Sequence, residues 1–445
     1  MNKKYNFNFL VSIFLLLIIC GCTEVNTDPP PADVEAIFER PVEEIPFEDL
    51  LELVQKTTFK YFWDFAEPNS GLARESSLDD LTVTIGGSGF GISAFPIAVE
   101  RGWITRGAAI ERMDKILTFL EGAEKYHGAF SHWYYGDTGI TREFSSLDNG
   151  GDLVETAFLV QGLFIVQQYF SGTTAEESAI RNRIDAIWKN IEWNWYVQPG
   201  ENVITWHWSR NFGFDLNLKI EGWNESLLVY VLAAASPTFP ISRDIYIDGW
   251  ARSGNQINGN TYFGVELPLG VVKGGPLFYA HYSFIGLDPR NLTDQYANYF
   301  EQNRAHTLVN YNHCVENPFG YKGYGENSWG LTASNDFNGY AVHEPENDIG
   351  VITPTAALSS FPYTPVESQR ALEYFYYDLN ADLWGEYGFY DAFSESQDWY
   401  DDGYLAIDQG PIICMIENYR TGLLWDLFMQ NQEVLDGLTK LGFTY

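Results

Sequence analysis

"LDNGGDLVETAFLVQGL", residues 147–163, reads as an apolar helix entered through the pair Gly150–Gly151, with three carboxylates, Asp148, Asp152 and Glu155, at its start. The spacing i, i+4, i+7 stacks the three on one helical stripe, where like charges repel. Asp152 followed three residues later by Glu155 fits a capping box, and acids in a first helical turn are favoured by the helix dipole. Capping accounts for two of the acids and leaves Asp148 without a reason.

The stretch is one of six of its kind. Segments apolar nearly all round, which belong to buried helices, recur at 88–100, 150–169, 222–235, 275–286, 353–361 and 411–427. Amphipathic segments with a charged face alternate with them at 47–66, 105–124, 174–195, 292–310 and 365–379, with a weaker one at 240–253. Outer and inner helices alternating six times predict an all-α (α/α)6 toroid. Connections after the apolar helices are short (101–104, 170–173, 287–291, 362–364) and those before them long (127–149, 196–221, 254–274, 311–349, 380–410). Inner helices run the same way in a toroid, so every long loop falls on the face that holds their N-termini. Long loops in a compact domain usually carry function. Two of these read as β-hairpins, "GAFSHWYYGDTGITREF" and "NTYFGVELPLGVV".

More acids share that face. Glu225 in "GWNE" opens the third inner helix, and Asp408 in "AIDQGP" precedes the sixth, with Pro411 suited to a first helical position. Asp391 and Glu326 lie in long loops above. Crowding raises a carboxyl pKa and a helix N-terminus lowers it, so such a site separates a protonated acid from an ionised base, as glycosidic cleavage requires. The loops interleave aromatics with Gly, His and acids: "SHWYY" (131–135, with His132 and Trp133), "WHW" (206–208), "YKGYGENSWG" (321–330, with Trp329) and "WGEYGFYDAF" (384–393, with Tyr390). Sugar rings lay their C–H faces on aromatic rings and need acceptors and donors at the edges. A saccharide groove is therefore expected, with Trp133, His132, Trp223, Glu326, Trp329, Tyr390 and Asp391 along it.

Residues 1–21 read as a signal segment: Lys3 and Lys4, an apolar run too short to span a membrane, and Ile19-Cys20-Gly21-Cys22, which resembles a bacterial lipobox. Cys22 is then the lipid-bearing first residue of an exported lipoprotein, facing the periplasm or the cell surface. Residues 22–46, acidic and proline-rich, form a tether, and residues 47–445 a single domain. The mature chain keeps 24 basic against 60 acidic residues, a charge of about −36, which repels nucleic acid and anionic polymers and suits a neutral oligo- or polysaccharide. Cys314 and Cys414 alone remain in the body, and spacing leaves open whether they pair. The seven histidines form no HExxH or other tight metal spacing, there is no GxSxG elbow, and "GGSGFG" (86–91) lacks the lysine of a phosphate loop. No cofactor and no metal are expected, the membrane is met through the lipid alone, and the expected state is a monomer.

The blocks "DNGGDLVETAFLVQGL", "GWNE", "GGPLFYAHYSFIGLDPR", "YKGYGENSWGLTAS", "PTAALSSFPYTP", "WGEYGFYDAF" and "LAIDQGPIICMIENYRTGLLW" resemble glycoside hydrolase family 144, the glucoamylase-like domain, over about residues 47–430. The resemblance implies an (α/α)6 barrel and inverting hydrolysis of β-1,2-linked glucan or its sophoro-oligosaccharides, with endo and exo action both open. It implies functional acids at Asp148, Asp152 and Glu155, and a general acid at Glu225. Asp152 and Asp408 are the leading candidates for the base, with Asp391 third. Two competing classes are a polysaccharide lyase on a similar toroid, which would need Arg or Lys to neutralise a uronate, and a non-catalytic glycan-binding lipoprotein, which has no need of clustered carboxylates.

Overall fold

Burial on every side, the property that set the inner segments apart in the sequence, is what the computed structural model of the chain displays at its centre. Residues 42–445 are described; the signal segment, Cys22 and most of the tether lie outside the described residues. The first two inner helices, Ile85–Glu100 and Leu153–Tyr169, are buried over nearly their whole length. The third, Leu227–Ala235, is buried at every position. The fifth is a short helix, Pro354–Leu358, and the sixth is Ala406–Arg420. The first packs on the second and on the sixth, the second on the third, and the fifth on the sixth. The first two approach so closely that a Cβ on Gly89 would meet Phe158 O at 2.2 Å, which is why glycine stands there.

Outer helices Phe47–Trp63, Arg106–Gly122, Ala175–Lys189, Tyr299–Glu316 and Pro365–Glu373 alternate with them. Arg243–Ile245 and the π-turn Tyr246–Trp250 take the place of the weak outer segment. The (α/α)6 alternation stands as expected from the sequence.

Four local expectations need correction. The fourth inner segment is no continuous helix but two 3-10 turns, Leu277–Ala280 and Ser283–Ile285. Side chains take the backbone groups that a helix would pair internally. Thr332 Oγ1 accepts from Phe278 N–H, Gln161 donates to Tyr282 O and accepts from Gly286 N–H, and Tyr363 OH donates to Ala280 O. The third inner helix starts later than 222, because Asn224 Oδ1 accepts from Ser226 N–H and Ser283 Oγ from Leu228 N–H. Pro411 is inside the sixth helix, whose start is moved back to Ala406 by the bond from its N–H to Glu75 O. The chain does not continue from that helix to 427 but turns at Gly422 into Leu423–Phe428 and Gln432–Leu441, which pack on the second and third inner helices.

The long loops gather where the inner helices begin. Both expected hairpins form: Trp133–Tyr135 with Thr141–Arg142, joined by Thr82–Thr84, and Ile257–Tyr262 with Val265–Leu269. A third hairpin pairs Ala333–Asp336 with Gly339–Val342. Gly151–Asp152 pairs with His207–Trp208 in a register that sets His207 opposite Asp152. Cys314 and Cys414 are both buried and unpaired. Among the described residues no helix is long and apolar enough to cross a membrane.

Candidate active site

A cavity of about 560 Å³ opens where the inner helices begin. Four carboxylates line it, Glu75, Asp79, Glu155 and Glu225, and no arginine or lysine does. Its apolar wall includes Trp133, Phe144, Trp206, Tyr282 and Tyr340.

Asp152 caps the second inner helix. Its Oδ1 accepts from Val154 N–H (2.9 Å), Glu155 N–H (3.0 Å) and Trp206 Nε1–H (3.0 Å). Its Oδ2 faces His132 Nδ1 and His207 Nε2, each at 3.3 Å. Burial alone would raise its pKa, but the two imidazoles and their bonds hold it below the usual carboxylate range. Asp148 completes the group, 3.2 Å from His207 Nε2 and 3.6 Å from His132 Nδ1. The helix begins only at Leu153, so Asp148 lies before it and the three acids form no helical stripe; Asp148 is held instead by the two imidazoles that it shares with Asp152. The donor atoms of His132, Asp148 and Asp152 lie within 4.8 Å of one another, a spacing that a divalent cation could also occupy, although no metal spacing was legible in the sequence.

Only half of the capping box forms. Glu155 does not return to the N-cap; its Oε2 accepts from Gly86 N–H at 2.6 Å, at the start of the first inner helix. A Cβ on Gly86 would stand 2.6 Å from that oxygen. Burial raises the Glu155 pKa to about 7, against the opposing charge of His132. That same surrounding of carboxylates lifts His132 well above its ordinary value in spite of burial.

Glu225 stands in the turn before the third inner helix, on the cavity wall. Burial pushes its pKa to about 7, and the charges of Asp152 and Glu155 push the same way. On the far side lie Asp391 and Asp408, both buried. Asp391 Oδ2 accepts from Asn335 N–H at 2.7 Å, while neither oxygen of Asp408 meets a hydrogen-bond donor. Burial raises Asp391 to about 7 and, together with the Asp391 charge, lifts Asp408 well above the ordinary range. Tyr282 feels the charges of Glu225, Asp391 and Asp408, and Tyr340 those of Asp391, Asp408, Glu75 and Glu155.

Of the expected groove residues, His132 and Trp133 line the cavity. The others do not. Trp329 is fully buried, edge-on to Tyr311, with its Nε1–H donated to Glu367 O at 3.2 Å. Trp223 is buried beneath the site against Phe284 and Tyr299. Glu326 is exposed and pairs with Arg370 at 3.1 Å. Tyr390 packs half-buried on Tyr404, behind the wall that Asp391 supports. Sequence reasoning missed Glu75, Phe144, His207, Tyr282 and Tyr340. "WHW" flagged the strand that carries His207. Glu75, in "ARESSLDD", sits in no apolar pattern and left no signal.

Fold and site together define an (α/α)6 toroid with an acid-lined pocket at the inner-helix N-termini. The chain belongs to the glucoamylase-like family, described as "Putative glucoamylase", whose match covers residues 217–432. It is similar to the crystal structure of a putative glucoamylase from Bacteroides uniformis, at 53% identity over 91% of this chain and 99% of that one, with a TM-score of 0.89. An endo-β-1,2-glucanase from Chitinophaga pinensis, solved with sophorotriose and glucose, is 50% identical over 90% of this chain and 99% of that one, with a TM-score of 0.88. The exo β-1,2-glucooligosaccharide sophorohydrolase (non-reducing end) of Parabacteroides distasonis is 46% identical over 417 residues, 88% of this chain. The chain spans 58% of that relative's length.

Proposed function

We propose that this protein is an inverting glycoside hydrolase that cleaves the β-1,2 bonds of glucan or of its sophoro-oligosaccharides. The observation that carries the proposal is the placing of Glu225 across the ring from the Asp391–Asp408 pair. Glu225 stands in the turn before the third inner helix, Asp408 in the first turn of the sixth and Asp391 in the loop before it; the third and sixth are opposite members of a six-helix circle. Inversion needs an acid on the glycosidic oxygen and a base that takes a proton from water on the other face of the sugar. Glu225, its pKa raised by burial to about 7, is protonated in a substantial fraction of molecules at neutral pH and gives its proton to the leaving oxygen. Burial and the neighbouring Asp391 charge hold Asp408 well above the ordinary range, and Asp391, raised to about 7, is the carboxylate that receives the proton.

Asp152, the alternative base, belongs to the helix next to Glu225; its Oδ1 is taken up by three donors and its Oδ2 lies 3.3 Å from each of two imidazoles. It holds the histidines and the helix start instead. Aromatic walls and the absence of arginine and lysine suit a neutral sugar and not a uronate. The β-1,2 linkage is the part that the printed activities of the Chitinophaga and Parabacteroides relatives share.

The signal segment with Cys22, the tether and a monomeric domain over 47–445 are part of the same proposal, with the enzyme held at a membrane by lipid. Release of reducing sugar from β-1,2-glucan tests the activity, and no release from that polymer or its oligosaccharides refutes it. Cys22→Ser should move the protein from the membrane to the soluble fraction.

A further inference from the structure

We propose that Glu75 is a catalytic residue: its carboxylate holds the attacking water on the wall opposite Glu225 and conveys the water's proton to the Asp391–Asp408 pair. This rests on the hydrolase reading above and adds to it the group that touches the nucleophile.

The need for such a group is geometric. Asp391 and Asp408 are each 2% exposed and stand behind the cavity wall rather than on it. A buried pair cannot bond a water that lies against the sugar unless another group spans the gap. Glu75 lines the cavity and lies close enough to both aspartates for its charge to act on each.

Its backbone is fixed to the element that carries Asp408. Ala406 N–H donates to Glu75 O at 3.0 Å, Ser77 N–H to Tyr404 O at 2.9 Å and Tyr404 N–H to Ser77 Oγ at 2.9 Å. Glu75 N–H in turn donates to Thr82 O at 3.0 Å, joining the same segment to the strand that runs into the first inner helix. Glu75 therefore stands between the sixth and first inner helices, across the circle from Glu225 on the third. Of the other cavity carboxylates, Glu155 is bonded to Gly86 N–H, and Asp79 is bonded to Leu81 N–H, Thr82 and Arg142. Glu75 instead has the Thr84 hydroxyl and the Trp133 indole as hydrogen-bonding neighbours and faces the charge of His132.

The step balances as follows. The water oxygen bonds to the anomeric carbon while the bond from that carbon to the leaving oxygen breaks. Glu225 gives its proton to the leaving oxygen. One water proton passes to the Glu75 carboxylate and on to the aspartate pair, which later releases it as Glu225 takes one up from solvent.

The test compares Glu75→Gln, Glu75→Ala and Glu225→Gln on two substrates, a sophoro-oligosaccharide and β-sophorosyl fluoride, whose leaving group needs no acid. Glu75→Gln should lose ~100-fold or more in kcat on both. Glu225→Gln should lose as much on the oligosaccharide and keep most of its rate on the fluoride. Azide, a nucleophile that needs no base, should restore turnover of the fluoride by Glu75→Ala and give the α-azide. Should the larger changes disturb folding, Glu75→Asp keeps the charge and withdraws the carboxyl by one methylene. It is expected to lose at least ~10-fold in kcat at an unchanged Tm. Glu75→Gln or Glu75→Asp turning over both substrates like wild type overturns the proposal, as does a kcat loss in Glu75→Ala that azide leaves untouched. A wild type that hydrolyses the fluoride but not β-1,2-glucan refutes the substrate reading while the Glu75 comparison still stands on the fluoride. A wild type inert to both refutes both.

Discussion

The start of the second inner helix and the start of the sixth hold the same residue type in nearly the same place, and use it differently. Asp152 gives one oxygen to three donors and the other to two imidazoles. Neither oxygen of Asp408 meets a hydrogen-bond donor. Partnership holds the first below the ordinary carboxylate range, and burial without partnership lifts the second above it. An acid in a first helical turn is therefore a cap or a chemical group according to what else touches its oxygens. Position in the helix does not decide.

The strongest way to break that comparison is to replace the carboxyl groups on the poorly partnered side. Glu225→Gln and Asp408→Asn should each lower kcat by about 10²–10⁴-fold. Neither should melt earlier than wild type. For Glu225→Gln the sign follows from its pKa, about 7 in the fold against an ordinary 4.5. The protonated form is the one the fold favours, so its contribution to stability is complete below about pH 4.5 and is lost as pH rises through 7. At pH 8 the buried charge costs up to about 3 kcal/mol. Glu225→Gln should then have the higher Tm at pH 8 and lose that advantage at pH 4. An early-melting variant with normal turnover would make Glu225 a structural residue.

The alternation of helices was legible because burial on all sides or on one side leaves a periodic mark. The acids at the helix starts were legible because "NGGDLVE", "GWNE" and "AIDQGP" each place them beside residues that begin helices. Which way an aromatic ring in a loop faces has no such mark. "ENSWG" reads as well for a groove as for a core, and Trp329 went to the core because Tyr311 and the Glu367 carbonyl lie there to meet it. Glu75 was invisible for another reason: its place depends on backbone bonds to residues 404–406, more than 300 positions away. Trp329→Ala should accordingly cost about 3–5 kcal/mol of stability, read by denaturant unfolding, with KM unchanged. A raised KM at full stability would return Trp329 to the groove.

The partnered side is probed by Asp152→Ala. It removes an N-cap, leaves the Trp206 indole N–H without its acceptor and leaves the two imidazoles with Asp148 alone. A cap contributes roughly 0.5–2 kcal/mol, and a stranded buried donor about 1–3 kcal/mol. A loss of about 2–4 kcal/mol in unfolding free energy is expected, against little or none for Asp408→Asn. Equal stability in the two variants would erase the distinction between cap and base. Asp152→Ala should also lower kcat, through displaced histidines, so its melting temperature is the quantity that discriminates.

The smallest effect belongs to the rim, where exposed rings face the cavity instead of the core. Phe144 is 51% exposed and stacks on His132 at 4.3 Å with 16° between the planes; Tyr340 is 59% exposed on the hairpin opposite. Each ring leaves more than half of its surface exposed, and substrate is the partner that would cover it. Covering about 40–50 Å² of such a ring contributes roughly 1 kcal/mol, a fivefold change in binding. Phe144→Ala and Tyr340→Ala should each raise KM about fivefold for oligosaccharides long enough to cross the rim, with kcat and Tm near wild type. The two rings lie in different loops, so the double variant should approach the product of the single effects, about 25-fold. If KM stays at the wild-type value for every chain length, the glucan leaves the cavity by another path, and the cluster Phe212, Leu216 and Leu218, also exposed, becomes the surface to examine.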